Sequence, residues 1–337
     1  MSTTYPDAVS ERDRWILAHR TGRNVVDPRR PYAAVIENER AESGEVVPVA
    51  TIFLTNRECP WRCLMCDLWK NTLTETLPVG AIPEQIDWAL NQLDIAKVAD
   101  APQVRHIKLY NSGSFFDPRA IPTEDHPAIA DRLQGFQQVI VECHPALANE
   151  SILRFRDLIN GTLEVAMGLE TAHPAVLEKL NKRMTRAQFA VAAEFLKRHD
   201  TSLRTFVLIK PPFLDDCEAL PWAKRSIDFA FECGASVVSL IPTRAGNGAM
   251  DTLAATGQFV PPSLDLVEET TAYGVALRRG RVFADLWDLE KFSRCPACFP
   301  ERKARLERMN HNQLVEPPIV CSHCSNADTA GVVPSSS

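Results

Sequence analysis

Six short runs of this chain are apolar almost throughout: Val47–Leu54, His106–Tyr110, Gln138–Glu142, Glu164–Leu169, Leu203–Ile209 and Ser236–Ile241. They are rich in β-branched residues. Continuous apolarity, in place of alternation, marks parallel strands covered on both faces. Helical patterns lie between the runs. Ile86, Ala89, Leu90 and Leu93 share one helix face behind Pro83. Thr185 and Gln188 have capping-box spacing at the start of a helix expected to reach about Arg198. Gly234 suits the position just past a helix over Pro221 to Cys233. Strand–helix units in series build a parallel sheet, and right-handed crossovers curl it. The expected fold is α/β, a partial (βα)6 TIM-like barrel with a C-terminal four-cysteine metal module. The working residues of such a fold lie at the C-terminal strand ends.

The spacing of these signals divides the 337 residues into a polar, Arg-rich extension (1–46), a core barrel (47–285), the cysteine module (286–325) and a tail expected to be disordered (326–337). The extension holds a helical patch from Glu11 to His19 and no evident chemistry. A hydrophobic fraction of 45% with 24% charge excludes a wholly disordered, collagen-like or coiled-coil chain. No apolar run reaches the length of about 18 residues that a membrane helix needs. Met1 to Arg14 is polar, with no apolar core of a secretory signal, so a cytoplasmic location is expected. The net charge is −6. A nucleic-acid partner would therefore need a local basic patch.

Ten cysteines in a reducing compartment are not a disulfide framework. Cys143, Cys217 and Cys233 are isolated and expected as small buried apolar residues. The other seven fall in close groups, which points to metal. Cys59, Cys63 and Cys66 follow the first strand as C-x3-C-x2-C. A structural zinc site closes with four ligands, and the fourth is missing locally. A [4Fe–4S] cluster on three cysteines leaves one iron open. A zinc loop with a remote fourth ligand is the alternative. Near the C-terminus, Cys295, Cys298, Cys321 and Cys324 form two C-x2-C pairs 22 residues apart. Zinc and an auxiliary iron–sulfur cluster both accept four thiolates, and His323 could replace one of them. Between the pairs, Arg302 to Arg308 is basic and helical, either a solvated face or a contact for RNA phosphate.

The C-x3-C-x2-C loop behind a first strand resembles that of the radical S-adenosylmethionine superfamily, over about residues 47 to 285. The resemblance implies that Cys59, Cys63 and Cys66 hold a [4Fe–4S] cluster. The open iron would take the amino and carboxylate groups of S-adenosylmethionine. Electron transfer would then release methionine and a 5′-deoxyadenosyl radical that abstracts hydrogen from substrate. It also implies that the loop after the second strand, through Ser112, Gly113 and Ser114, binds the methionyl amino group; Gly113 permits the close backbone approach. Glu142, Glu170 and Lys210, at later strand ends, are further cofactor-binding candidates. The 111–114 loop, Glu170 and Lys210 also have ordinary readings: a simple βα turn, a carboxylate near a helix start and a rim lysine. His144 is expected as a hydrogen-bonded structural residue, and Trp61 and Trp69 as shields of the cluster loop or packing at the barrel mouth. Gly246-Asn-Gly248 is a turn beside the active face. No residue is singled out as catalytic.

The segments Ile-Lys-Leu-Tyr-Asn-Ser-Gly-Ser-Phe-Phe-Asp, Gly-Leu-Glu-Thr and Val-Leu-Ile-Lys-Pro-Pro-Phe-Leu resemble the Elongator-protein-3-like branch, and most of all the archaeosine synthase radical subunit family. In that branch's acidic segment Cys143 and His144 replace Ser and Arg. This finer resemblance implies a modified 7-deazaguanine nucleoside in tRNA as substrate, a partner subunit, and a reductant such as flavodoxin or ferredoxin. Two other readings stand beside it: a radical enzyme acting on a small metabolite or peptide, and a non-catalytic iron–sulfur or zinc scaffold.

Overall fold

The computed structural model describes residues 3–95 and 104–327. Its centre is one curled sheet of eight strands in sequence order: β1 (Ala33–Arg40), β2 (Val46–Phe53), β3 (His106–Tyr110), β4 (Gln138–Glu142), β5 (Thr162–Glu170), β6 (Ser202–Ile209), β7 (Val237–Pro242) and β8 (Arg281–Ala284). β2 to β8 run parallel; β1 pairs with β2 antiparallel. β1 and β8 do not pair, so the sheet is an open half-barrel with helices packed outside. All six expected strands are present within two residues of their expected ends. Two more flank them. The 1–46 segment supplies β1 and the helix Val9–His19, and a short run behind the core supplies β8.

The helices follow their sequence signals. Helix Arg186–Arg198 opens with the full capping box: Gln188 N–H donates to Thr185 Oγ1 at 3.2 Å, and Thr185 N–H donates to Gln188 Oε1 at 2.8 Å. Helix Asp216–Glu232 gives way to Gly234 at φ 90°, a left-handed position that suits glycine. Of the expected tail, residues 328–337 lie outside the described residues, and 326–327 end the helix Ser322–Ala327. No helix among the described residues is long and apolar enough to cross a membrane.

The convex face of the sheet is apolar, but the concave face is built in layers. Near the N-terminal strand ends, Glu39 of β1 meets Lys108 of β3 at 2.6 Å and Arg204 of β6 at 2.5 Å. Arg204 also donates to Glu164 of β5 at 2.6 Å, and Arg281 of β8 lies 3.5 Å from the same carboxylate. Arg204 and Glu164 are fully buried, so each charge needs its partner. Burial alone would raise the Glu39 carboxyl; Arg204 and Lys108 override it and hold it well below the usual range. Above this ionic layer lies an aromatic one. Phe53 stands 6.1 Å from Tyr110, and Tyr110 stands 6.2 Å from Phe206 across the concavity. The half-barrel is thus filled from below by an ionic and then an aromatic layer.

Arg204→Met removes the cation and leaves two carboxylates buried. Breaking a buried pair from one side costs about 3–5 kcal/mol. Urea denaturation should show a loss of that size; a midpoint equal to the parent's would show that the ionic layer adds no stability.

Candidate active site

The loop between β2 and helix Ala81–Gln92 carries Cys59, Cys63 and Cys66 at the C-terminal end of the first parallel strand. Its carbonyl groups point away from solvent and need donors. Two asparagines from distant loops supply them. Asn181 Nδ2 donates to Arg62 O at 2.8 Å, and Asn247 Nδ2 donates to Leu64 O at 2.8 Å and Cys66 O at 3.0 Å. Leu64 N–H donates to Leu180 O at 2.9 Å, and Trp69 Nε1–H donates to Cys66 O at 3.1 Å. Asn247 belongs to the Gly246-Asn-Gly248 turn, so that turn is an anchor for the cysteine loop. Trp69 is buried beneath the loop. Trp61 stacks on His144, ring centroids 3.7 Å apart and planes 13° apart.

His144 is structural, as expected. Its Nδ1 accepts from Ala146 N–H at 3.2 Å, which leaves Nε2–H to donate to Lys182 O at 3.1 Å. Burial, with Lys182 nearby, pushes its pKa down to about 3, so the ring stays neutral.

Charges of both signs face the thiols: Lys182 and Arg20 against Asp67, Asp117 and Glu170. Glu58, next to Cys59, receives three guanidiniums: Arg20 at 2.7 Å, Arg62 at 3.0 Å, and Arg23. Three cations against one anion leave this rim basic. Burial pushes the three thiols up to about 12, and the Lys182 ammonium pulls against it at Cys63 and Cys59. Lys182 is itself buried and pairs with Glu170 at 2.6 Å. Burial would lower its pKa; the Glu170 carboxylate, then the Cys63 thiol, raise it above the ordinary value.

The expected cofactor-binding residues gather at the same rim. The 111–114 loop follows β3, and Gly113 lies against the cysteine loop: a Cβ there would sit 3.2 Å from Cys59 Cβ. Glu142, at the end of β4, faces the 111–113 loop; its Oε2 accepts from Asn111 N–H at 2.8 Å. Ser112, Glu170 and Lys210 lie at or just past the ends of three strands, and all three are left-handed, with φ of 54°, 65° and 53°, as are eight other non-glycine residues among those described. Non-glycine residues are strained in that geometry, and such strain concentrates at functional sites. Glu170 folds back over Gly168, where a Cβ would come within 2.1 Å of its Oε1. Lys210 is turned to the exposed Asp216, so its partner here is a carboxylate of the next helix. Asn111 is fully buried with both side-chain polar atoms unpartnered, and Ser114 Oγ is unpartnered as well. Buried polar groups without partners call for a ligand or water.

Sequence reasoning missed Lys182, Asn181, Asn247, Asn111 and Tyr32, whose hydroxyl lies 3.3 Å from Ser112 Oγ. Asn111 and Asn247 stood in quoted segments without being singled out; Lys182, Asn181 and Tyr32 carry no local signal. The basic helix is only partly a solvated face. In Phe299–Asn312, Arg302 and Arg305 are buried on Glu268, and Arg308 pairs with Glu316 at 2.7 Å. Arg302 and Arg305 dock the helix, while Lys303 and Arg308 lie on its exposed face. Of the isolated cysteines, Cys143 is buried, Cys233 half-buried and Cys217 exposed, so Cys217 departs from its expected burial.

No protein-family model matches the chain. An uncharacterized protein of Methanocaldococcus jannaschii is 27% identical over 256 residues, 73% of this chain and 70% of that one. Archaeosine synthase subunit beta of Methanosarcina acetivorans is 27% identical over 233 residues, 66% of this chain and 65% of its own length. The chain thus spans about two thirds of these relatives. Among solved structures, the archaeal Elp3 of Methanocaldococcus infernus superposes with a TM-score of 0.50 at 14% identity, over 66% of this chain and 58% of that one. The chain thus shares an open parallel half-barrel fold with this solved structure, and it carries its cysteine loop at the end of the first parallel strand. In sequence it is similar to archaeosine synthase subunit beta.

Burial pushes the Glu142 carboxyl up to about 7, against the Asn111, Ser112 and Gly113 N–H groups. A folded pKa above the ordinary carboxyl value means that the folded state holds the proton more tightly. That stabilising contribution is complete at low pH and is lost as pH rises through about 7. Glu142→Gln removes the titration and keeps an acceptor. The drop in melting temperature between about pH 5 and pH 7.5 should shrink in the variant; parallel curves would show that Glu142 titrates normally.

Proposed function

We propose that Cys59, Cys63 and Cys66 hold a [4Fe–4S] cluster, and that the rim of Ser112, Gly113, Ser114, Glu142 and Glu170 seats S-adenosylmethionine against it. The observation that carries this reading is the fit of the rim to a missing group. Asn111 and Ser114 present buried, unpartnered polar atoms, and Gly113 leaves a cradle that a methyl group would fill. The donor set fits as well: three thiols on one loop leave one iron of a four-iron cluster without a protein ligand.

When bound, the cluster and cofactor supply reductive cleavage of the sulfonium bond and hydrogen abstraction from substrate. The chain's own residues do the rest. Asn181 and Asn247 fix the cysteine loop. Lys182 and the Arg20–Arg23–Arg62 group offset the negative charge of three thiolates. Trp69 packs buried against the loop and donates to Cys66 O. Glu170, paired with Lys182, is an acceptor poised for the cofactor's ammonium or ribose hydroxyls. Lys210 stands at the next strand end, where a cofactor or substrate carboxylate could replace Asp216.

For the substrate, we take a modified 7-deazaguanine nucleoside in tRNA. Likeness to archaeosine synthase subunit beta supports this, as does the basic rim, which suits a phosphate-bearing molecule. The same relative's name, a beta subunit, supports a partner chain. A flavodoxin or ferredoxin would supply the electron. The C-terminal thiolates form a second metal site.

Two outcomes test the reading. Anaerobically reconstituted protein with S-adenosylmethionine and dithionite should yield 5′-deoxyadenosine, and Cys63→Ala should lose the loop-bound iron and that product together; product from the variant would sink the assignment. tRNA binding should fall steeply with salt, and Arg23→Ala should weaken it; salt-independent or absent binding would redirect the search to a small metabolite or peptide.

A further inference from the structure

Helix Phe299–Asn312 lies across the open side of the half-barrel, packed on both β1 and β8. Its contacts with β8 are those a neighbouring strand would make. Val282 N–H donates to Gln313 Oε1 at 2.7 Å, and Gln313 Nε2 donates to Val282 O at 2.8 Å. Ala284 N–H donates to Asn310 Oδ1 at 2.9 Å, and Asn310 Nδ2 donates to Ala284 O at 2.9 Å. Two side-chain amides thus satisfy both backbone groups of the two edge residues that face outward. On the other side, Arg40 of β1 donates to His311 O at 2.9 Å, and His311 Nε2 lies 3.3 Å from Asn38 O. The helix bridges the two strands that do not pair.

This helix starts at the second metal site. Cys298 precedes its first residue, Cys295 lies three residues earlier, and Cys321 and Cys324 return after the helix. The sulfurs of Cys295 and Cys321 are 3.9 Å apart, those of Cys298 and Cys324 3.7 Å apart, and all four lie within 4.8 Å of one another. Thiolates bound at about 2.3 Å around one tetrahedral ion stand about 3.8 Å apart. A four-iron cluster would hold them farther apart, because its irons and sulfides lie between.

We propose that this group takes one tetrahedral zinc-class ion, and that the ion locks helix 299–312 in place as a substitute for a ninth strand. Metal occupancy, not strand pairing, then closes the half-barrel. The ion ties the N-terminus of the helix to the segment that returns after it. With that tie, Asn310 and Gln313 stay on the edge of β8. The proposal does not depend on the radical chemistry of the first cysteine loop.

The test is residue-resolved hydrogen exchange on the cluster-loaded protein, with zinc and iron measured on the same sample. The wild-type chain should carry one zinc. Cys321→Ser should lose it and keep its loop-bound iron. In that variant the Val282 and Ala284 amides should exchange at least about tenfold faster. The Arg281 and Asp285 amides, bonded inward to Ser236 O and Leu240 O, should keep their protection. Iron in place of zinc at this group would overturn the single-ion assignment; zinc loss with unchanged exchange would overturn the clamp. If Cys321→Ser does not fold, the double variant Asn310→Ala/Gln313→Ala decides, since it keeps all four thiolates. Faster exchange at Val282 and Ala284 with zinc retained supports the proposal, and unchanged exchange overturns it.

Discussion

Arg204 is the charge around which the concave face is assembled. It stands on β6, reaches Glu164 on β5 and Glu39 on β1, and is covered by the Phe283 ring of β8, 5.6 Å from its guanidinium carbon. Lys108 of β3 completes the set through Glu39. Five of the eight strands are thus joined through side chains that cross the concavity, as neighbouring-strand hydrogen bonds cannot do. A buried ion pair is weak evidence of net stability. Its use here is better described as registry: an apolar filling would tolerate β1 in several positions, whereas Glu39 must meet both Arg204 and Lys108. The aromatic layer rests on that ionic floor. The height of the floor in turn decides how much room is left at the C-terminal strand ends.

That room is where the chain departs from relaxed geometry. Ser112, Glu170 and Lys210 each leave a strand through left-handed backbone, and Asn111 keeps two buried polar atoms without protein partners. A fold selected for stability alone would place glycine or asparagine at the first three and pair or replace the fourth. Both kinds of cost also occur elsewhere among the described residues, but at this rim they stand beside the cysteine loop. The loop carbonyls of residues 62, 64 and 66 are held by asparagines from other loops, while the same loop presents the free thiols of Cys59, Cys63 and Cys66.

What could be read from the chain alone follows from how far each signal reaches. The six central strands were legible because strands buried on both faces must be apolar at every position. β1 was not, because its concave-face residues are Glu37 and Glu39, and an edge strand with acids inside reads as a polar segment. β8 was missed because four residues, one of them Arg281, carry too little pattern. The C-x3-C-x2-C loop was legible because its ligands are neighbours in sequence. Asn181 and Asn247, which hold that loop, come from more than a hundred residues away, and nothing near them announces the contact. The basic helix shows the opposite failure. Arg302 and Arg305 are a local signal of charge, but their meaning is set by Glu268, 34 and 37 residues earlier.

A half-barrel must also protect its own open edges. An exposed edge strand invites pairing with another chain, and full closure is the usual way to abolish it. Here β1 and β8 do not pair, and helix Phe299–Asn312 packs on both. The helix solves this with carboxamides, whose O and N–H copy the peptide group in reach and polarity. The copy is short, two residues of β8, and a helix has no intrinsic preference for lying against a strand edge. Its place must therefore be imposed from outside the sheet. Arg302 and Arg305 impose it from the flank through Glu268, and the thiolate group imposes it from the helix start. The two devices act on different freedoms of the helix. The ion pairs fix which of its faces is buried, and the cysteines fix where along the gap it begins.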